Sequence, residues 1–328
     1  MLTYILRRLG LAFTVLLATL VSAFLLFFVG GGDPAQVMCP EQRCTPARLA
    51  QIRQSLGLDR PLAVQFSEYF SGLFVGRDIP YAGETIHCSA PCFGVSFLTR
   101  RPVSEEIFSR FPATVLLTAG VVVIMVIVGV LIGVLASTVR GTALDRLLIG
   151  GSQVFGAIPY YVMALIFALY TTRFYSIFPQ ATSISAGLPR FLAGLIAPWL
   201  ILGLVSATGY TRYTRNSMLD SLSMDYVRTA RSKGITERKV VGKHALRAAL
   251  SPVVTILGLD IAALLSGTLV TERIFEIDGI GKLALDALFR SDLPIILGTV
   301  LMTAVIVVTM NLIVDIAYSF VDPRVRLS

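Results

Sequence analysis

Charge is scarce in this sequence. Charged residues fill 15% of its 328 positions, and hydrophobic ones 55%; soluble domains carry about 25% charge. Mean hydropathy is +0.77. Histidine is nearly missing as well: only His87 and His244 occur. No His-Glu-x-x-His or Gly-x-Ser-x-Gly string is present, so a zinc peptidase or a serine hydrolase would lack its working parts. One string resembles a phosphate loop, Gly-Ile-Gly-Lys-Leu at 279–283. Glu276 stands there where the leading glycine belongs, and Leu283 stands where Ser or Thr belongs. It offers no phosphate cradle. The reading is a chain that is not an enzyme and has no nucleotide site or cofactor of its own.

What the sequence has instead is long runs without charge. Leu9–Val29, Ala113–Val139, Leu147–Thr172, Phe191–Thr211 and Leu293–Val314 contain no Asp, Glu, Lys or Arg, and Ala248–Thr271 contains only Asp260. A bilayer-spanning helix needs about 20 mainly apolar residues. Each run suffices, so the expected fold is an all-α integral membrane protein with six transmembrane helices. The first run follows Leu-Arg-Arg-Leu-Gly and is 21 residues long, beyond the roughly 7–15 of a cleavable signal. It reads as a retained helix.

Six spans place both ends on one side. With the N-terminus inside, the segments 1–8, 140–146, 212–247 and 322–328 carry 15 basic and 5 acidic residues. The segments 30–112, 173–190 and 272–292 carry 13 of each. The positive-inside rule therefore favours cytoplasmic N- and C-termini.

Seven of the basic residues and His244 fall in 225–254, against two acids. Three readings compete: a DNA-reading helix pair, a membrane-surface anchor or a protein-docking surface. Asp225 is expected to cap a short helix and Gly234 to end it in a left-handed turn. Thr236 is expected to cap a second helix, with Glu237 in its first turn. Helix pairs that read DNA rarely hang between two membrane spans, and they gather their basic residues on one exposed face. The plainer alternative is a solvated loop obeying the positive-inside rule.

Here a resemblance enters. Asp-Tyr-Val-Arg-Thr-Ala-Arg-Ser-Lys-Gly at 225–234, followed by His244, Leu246 and Pro252, resembles the cytoplasmic loop of binding-protein-dependent ABC importer permeases, peptide/nickel branch, first permease type. Further strings resemble the family in order: GGDPA after the first span, LGLDRPLAVQF at 56–66, RPVSEEIFSRFPATVLL at 101–117, AIPYY at 157–161, TRYTRNSMLDSLSMDYVRTARSKG at 211–234 and NLIVDIAYSFVDPRVR at 311–326. The resemblance implies a type I importer permease: helix 1 over 1–29, an extracytoplasmic region over 30–110, an importer transmembrane domain over 111–320 and a tail over 321–328. It makes Tyr226–Lys233 the coupling helix, with Asp225, Tyr226, Val227, Arg228, Thr229, Ala230, Lys233 and Gly234 as the ATPase-coupling residues. Implied partners are a homologous second permease, two ATPases that use ATP and Mg, an extracytoplasmic binding protein, a peptide substrate and the lipid bilayer, with no nucleic acid. The implied location is a bacterial cytoplasmic membrane. Nickel-chelate or haem import is the alternative within the family. Metal uptake would be expected to leave His or Met near the path, and Met125, Met163 and Met302 read more simply as packing. Outside the family, a secondary transporter would have only Asp260 as an ion carrier.

The segment 30–112 holds all four cysteines, Cys39, Cys44, Cys88 and Cys92. On an oxidising face they read as disulfides of open connectivity, with crossed bonds between the two close pairs preferred over local ones. A zinc site using His87 beside Cys88 is the alternative. The stretch 79–92 departs from the family as an insertion of about 14 residues where the binding protein would dock; it either shapes docking, caps the pore entrance or is a stapled loop without substrate contact. In 271–296 a re-entrant or surface helix is expected, and Asp278 stands where the family commonly has Pro. Asp260 sits among Gly258, Ala263, Ser266 and Gly267. It either faces the path, where it could attract a peptide's amino terminus, or makes a structural contact. Asn311 and Asp315 lie four apart in the last span and, by the resemblance, form a polar contact at the subunit interface.

Overall fold

In a computed structural model, the protein is described at residues 2–26, 34–37, 45–55, 57–81, 84–181, 184 and 187–321. The elements in order are α1 (Leu2–Leu25), α2 (Pro34–Val37), α3 (Pro46–Ser55), α4 (Leu62–Val75), β1 (Arg77–Tyr81), β2 (Glu84–Cys88), α5 (Val103–Thr138), α6 (Ala143–Ala157) and α7 (Tyr160–Ala168). A π-helical turn, Leu169–Phe174, prolongs α7. There follow α8 (Leu188–Ser223), α9 (Asp225–Ser232), α10 (Glu237–Lys239), a second π turn at Val240–Ala245, α11 (Leu246–Gly267), α12 (Leu269–Ile274), α13 (Ile280–Arg290) and α14 (Leu293–Val321).

Among the described residues, five helical runs are long and apolar enough to span a bilayer: Arg7–Leu25, Val103–Thr138, Leu188–Ser223, Glu237–Ser266 and Leu293–Ile313. The sixth expected span is not a straight helix. Its run divides into α6 and α7 with its π turn, bent by 86°. Pro159 cannot donate to a continuing ladder and holds Ile158 extended, at φ −74° and ψ 132°. A new helix then starts at Tyr160.

The chain divides into two compact units, 1–112 with 279–309 and 113–278 with 310–328. In the first, Phe24, Tyr69, Val103, Ile107, Ile295 and Leu297 are buried together. Gly298 lets α14 approach α5: a Cβ there would lie 2.5 Å from Val103 Cγ1. Asp292, 1% exposed, is an acceptor hub. The Ser96 hydroxyl and the amides of Phe97 and Leu98 all donate to it.

The same unit contains something an all-α reading does not anticipate. β1 and β2 form an antiparallel hairpin with Arg77 opposite Cys88 and Ile79 opposite Ile86. The insertion is thus a β-hairpin, and Cys88 closes its base by a disulfide to Cys92. This overturns the preference for crossed bonds: two cysteines four residues apart, with Cα atoms 5.4 Å apart, bridge without moving backbone. It also removes Cys88 as a zinc ligand, while His87 instead meets Asp78 at 2.7 Å. Cys39 and Cys44 lie outside the described residues. Gly76 sits at the hairpin's entrance with φ +79°, and a Cβ there would be 2.8 Å from the Cys88 carbonyl oxygen; only glycine fits.

In the second unit, Leu117, Val121, Phe191, Leu195, Ala164 and Ile277 form the core. Helices α5 and α8 meet over glycines. A Cβ on Gly129 would come within 2.4 Å of Tyr210 Cβ, and one on Gly133 within 2.8 Å of the Thr211 carbonyl oxygen. Small residues of this kind allow close approach where lipid gives no hydrophobic drive.

Candidate coupling site and its supports

α8 ends at Ser223, and Met224 turns the chain with an extended backbone, φ −72° and ψ 151°. The next eight residues form α9, one residue earlier than the expected coupling helix. Asp225 lies inside its first turn and does not cap it: no side chain accepts at this N-terminus, nor does Thr236 cap α10. Asp225 still places negative charge at the positive end of the helix dipole. The end is as expected. Gly234 adopts φ +72°, its amide reaches the Arg231 carbonyl, and the Ile235 amide reaches that of Ala230.

The eight residues assigned to coupling separate by burial. Val227 and Ala230, three apart, are buried with Val240, against Leu222 and Ile235. Asp225, Tyr226, Arg228, Thr229, Lys233 and Gly234 are exposed. The first pair anchors the helix against its own unit. A two-point connection ties α9 to the start of α10: Arg231 Nε donates to Glu237 Oε2 at 3.1 Å and Nη2 to Oε1 at 2.6 Å. Glu237 thereby holds the Arg231 guanidinium above its ordinary value. Two apolar side chains and a forked ion pair thus hold α9 in place.

A second anchor was invisible to sequence reasoning. Arg215 in α8 donates from Nε and Nη2 to the two oxygens of Asp145, each at 2.8 Å. The Gly141 amide donates to Asp145 Oδ2 at 2.9 Å, and Thr142 Oγ1 accepts from the Asp145 amide. The turn before α6 is thus fastened to α8 within three turns of α9.

The expected intramembrane groups are also placed. Asp260 in α11 accepts from the Tyr210 hydroxyl of α8 at 2.7 Å. Tyr210 is buried, so the contact joins two helices. Asn311 is partly buried on α14 and Asp315 lies one turn further along the same helix; the Asp315 side chain lies outside the described set. A buried carboxylate that the sequence reading missed is Glu272, 0% exposed. Thr114 and Thr268 hydroxyls donate to its Oε1 at 2.8 and 2.9 Å. Next to it, Tyr160 and Thr271 share a hydrogen bond of 2.7 Å. The polar pattern of Thr-Glu-Arg at 271–273 reads as loop, so nothing local marks Glu272 as interior.

Comparison with known proteins agrees with this geometry. Residues 129–327 match the family described as binding-protein-dependent transport system inner membrane component, and residues 1–118 match its N-terminal model. The chain is 33% identical to the dipeptide transport system permease protein DppB of Escherichia coli K12, over 99% of both chains. It is 37% identical to the glutathione transport system permease protein GsiC of Salmonella paratyphi A, and 34% identical to the di/tripeptide transport system permease protein DppB of Pseudomonas aeruginosa, again over 99% of both chains. Among solved structures, a chain of the MetNI methionine ABC transporter in an inward-facing conformation matches with a TM-score of 0.52 at 18% identity, covering 67% of this chain and 97% of that one; that likeness concerns the fold. The bent third span and the anchored helix after α8 are thus parts of a type I importer fold, and the chain belongs to the binding-protein-dependent transport system inner membrane component family, the multi-pass permease subunits of ABC transporters.

Proposed function

We propose that this chain is the first of two permease subunits in an ATP-driven importer of short peptides. The observation that carries the substrate class is the full-length similarity, at 33–37% identity, to permeases named for dipeptides, di/tripeptides and glutathione. A homologous permease completes the path, an extracytoplasmic binding protein delivers the peptide, and two ATPases with ATP and Mg drive the cycle from the cytoplasmic side. Both termini lie in the cytoplasm of a bacterium whose inner membrane holds the complex.

In this reading α9 is the coupling helix. Its exposed face, Tyr226, Arg228, Thr229 and Lys233, enters a groove of the ATPase, while Val227 and Ala230 bind it to its own subunit. Closure of the ATPases displaces α9; the Arg231–Glu237 fork passes the displacement to α10, and the Arg215–Asp145 fork ties α8, which leads directly into α9, to the turn before α6. Asp260 holds α11 to α8 through Tyr210 instead of offering its carboxylate to a passing amino terminus.

The test is uptake of a labelled dipeptide by proteoliposomes containing the complete complex. Wild type is expected to accumulate the dipeptide only with ATP and binding protein. Arg228→Glu combined with Lys233→Glu should reduce uptake at least tenfold and weaken ATPase capture, without changing the thermal stability of the permease. Uptake of a nickel chelate or haem in place of the peptide would overturn the substrate assignment.

A further inference from the structure

The first unit contains a cavity of about 450 Å³ that transport as described leaves unused. Its walls come from the turn before α4, α4 itself, the hairpin, the loop after the disulfide and the start of α14. Arg77, the first residue of β1, reaches into it. Its side chain passes beneath α4 where Gly72 leaves space: a Cβ there would lie 2.9 Å from Arg77 Cδ. The guanidinium carbon then stands 5.2 Å from the centre of the Tyr69 ring. Arg77 Nε is buried without a hydrogen-bond partner among the described residues. Burial pulls this guanidinium below its ordinary value, with Tyr69 and Glu68 acting in the opposite direction.

The other charges in the cavity wall have partners. Glu68 is paired with Arg60, and Asp78 with His87. Arg77 is therefore a half-buried cation with no carboxylate of its own among the described residues. Unmet buried donors cost free energy, and a forked guanidinium matches a carboxylate in shape and charge. The rest of the cavity is divided between polar groups, Gln65 and Ser71, and apolar ones, Leu58, Ile79 and Leu297. Its volume is that of a small-molecule site.

We infer that this cavity is a binding site for a small carboxylate with a short apolar body, whose carboxylate pairs with Arg77. A free fatty-acid-like carboxylate and the C-terminus of a short peptide present the same chemistry. In the second case the cavity would hold substrate outside the membrane path, which rests on the peptide reading above. The first case does not depend on it.

The experiment is calorimetric titration of the purified importer complex, in nanodiscs and without binding protein, with Leu-Leu, its C-terminal amide and hexanoate. Binding of Leu-Leu and hexanoate, with the amide at least tenfold weaker, is expected for wild type. Arg77→Met should weaken the carboxylates at least tenfold, and Arg77→Lys less. Ser71→Phe, which narrows the cavity while leaving Arg77 in place, should weaken them without affecting the fold. Intact Cys88–Cys92 pairing, read by thiol titration, verifies the hairpin in each variant. Hexanoate binding that needs Arg77, without Leu-Leu binding, would retain the carboxylate site and remove the peptide from it. Equal binding of Leu-Leu and its amide, no binding of any probe, or binding indifferent to both Arg77→Met and Ser71→Phe would overturn the inference.

Discussion

At the scale of single residues, the polar contacts that fix the second unit join positions far apart in the chain. Arg215 and Asp145 are 70 residues apart, and their side chains are 22% and 6% exposed. Asp145→Asn retains the shape but removes the charge that both guanidinium donors meet. Breaking a buried pair by one partner costs about 3–5 kcal/mol, and partial solvent access to Arg215 brings the expected loss to about 2 kcal/mol. The apparent melting temperature of the detergent-purified chain should fall by several degrees in D145N. Arg215→Lys should do nearly the same, because an ammonium cannot form the fork. A melting temperature unchanged in both would mean that the fork contributes nothing. Neither residue was legible as a pair. Each reads as an ordinary charge in a basic segment, and no periodicity connects a turn before α6 with the C-terminal part of α8. Val227 and Ala230 were legible as members of a functional motif but not as its buried side, since an eight-residue helix in a basic loop shows no long apolar stripe.

At the scale of elements, length and hydropathy made the spans readable and little else. A run without charge says that a segment can cross a bilayer; it does not say that the segment is straight. Pro159 was in view, within Ala-Ile-Pro-Tyr-Tyr, yet its effect depends on whether a neighbour supplies the lost hydrogen bond. Pro198 and Pro252 remain inside α8 and α11, whereas Pro159 divides its helix. The hairpin was hidden for a related reason. Pro80 argues against a central strand, but in a two-stranded ribbon both strands are edges, and Pro80 can occupy one. The helix contacts follow from glycine spacing. Gly129 and Gly133 of α5 face Tyr210 and Thr214 of α8, and Tyr210 in turn holds Asp260 of α11. Gly133→Leu would place its Cβ 2.6 Å from Thr214 Cβ and force the two helices apart. Overpacking of this kind costs about 1–3 kcal/mol. The displacement should also lengthen the Tyr210–Asp260 contact, so G133L is expected to lose stability and uptake together. A variant with full uptake and an unchanged melting temperature would show that α5 and α8 do not rely on this close approach.

At the scale of the whole molecule, basic charge and covalent chemistry are concentrated in different segments of the chain. The excess of basic residues lies in the segments that include α9, and the one described disulfide lies in the hairpin of the first unit. Each unit buries its own apolar cluster, with Phe24 and Ile107 central to one and Leu117 and Phe191 to the other. The hairpin and α9 should therefore respond separately to local damage. Replacing Cys88 and Cys92 by Ser opens a loop of four-residue separation, for which chain-entropy arguments give about 2 kcal/mol. That loss falls on the hairpin, whose two strands have no third strand to support them and are marginal alone. Hydrogen exchange should accelerate over 77–94 in the double variant. It should be unchanged over 225–240, and capture of the ATPases should remain at the wild-type level. Carboxylate binding at Arg77 should weaken in parallel with the exchange, because Arg77 faces Cys88 across the ladder. Accelerated exchange in α9, or loss of ATPase capture, would show instead that the disulfide supports the molecule as a whole, and the independence of the hairpin from α9 would have to be abandoned.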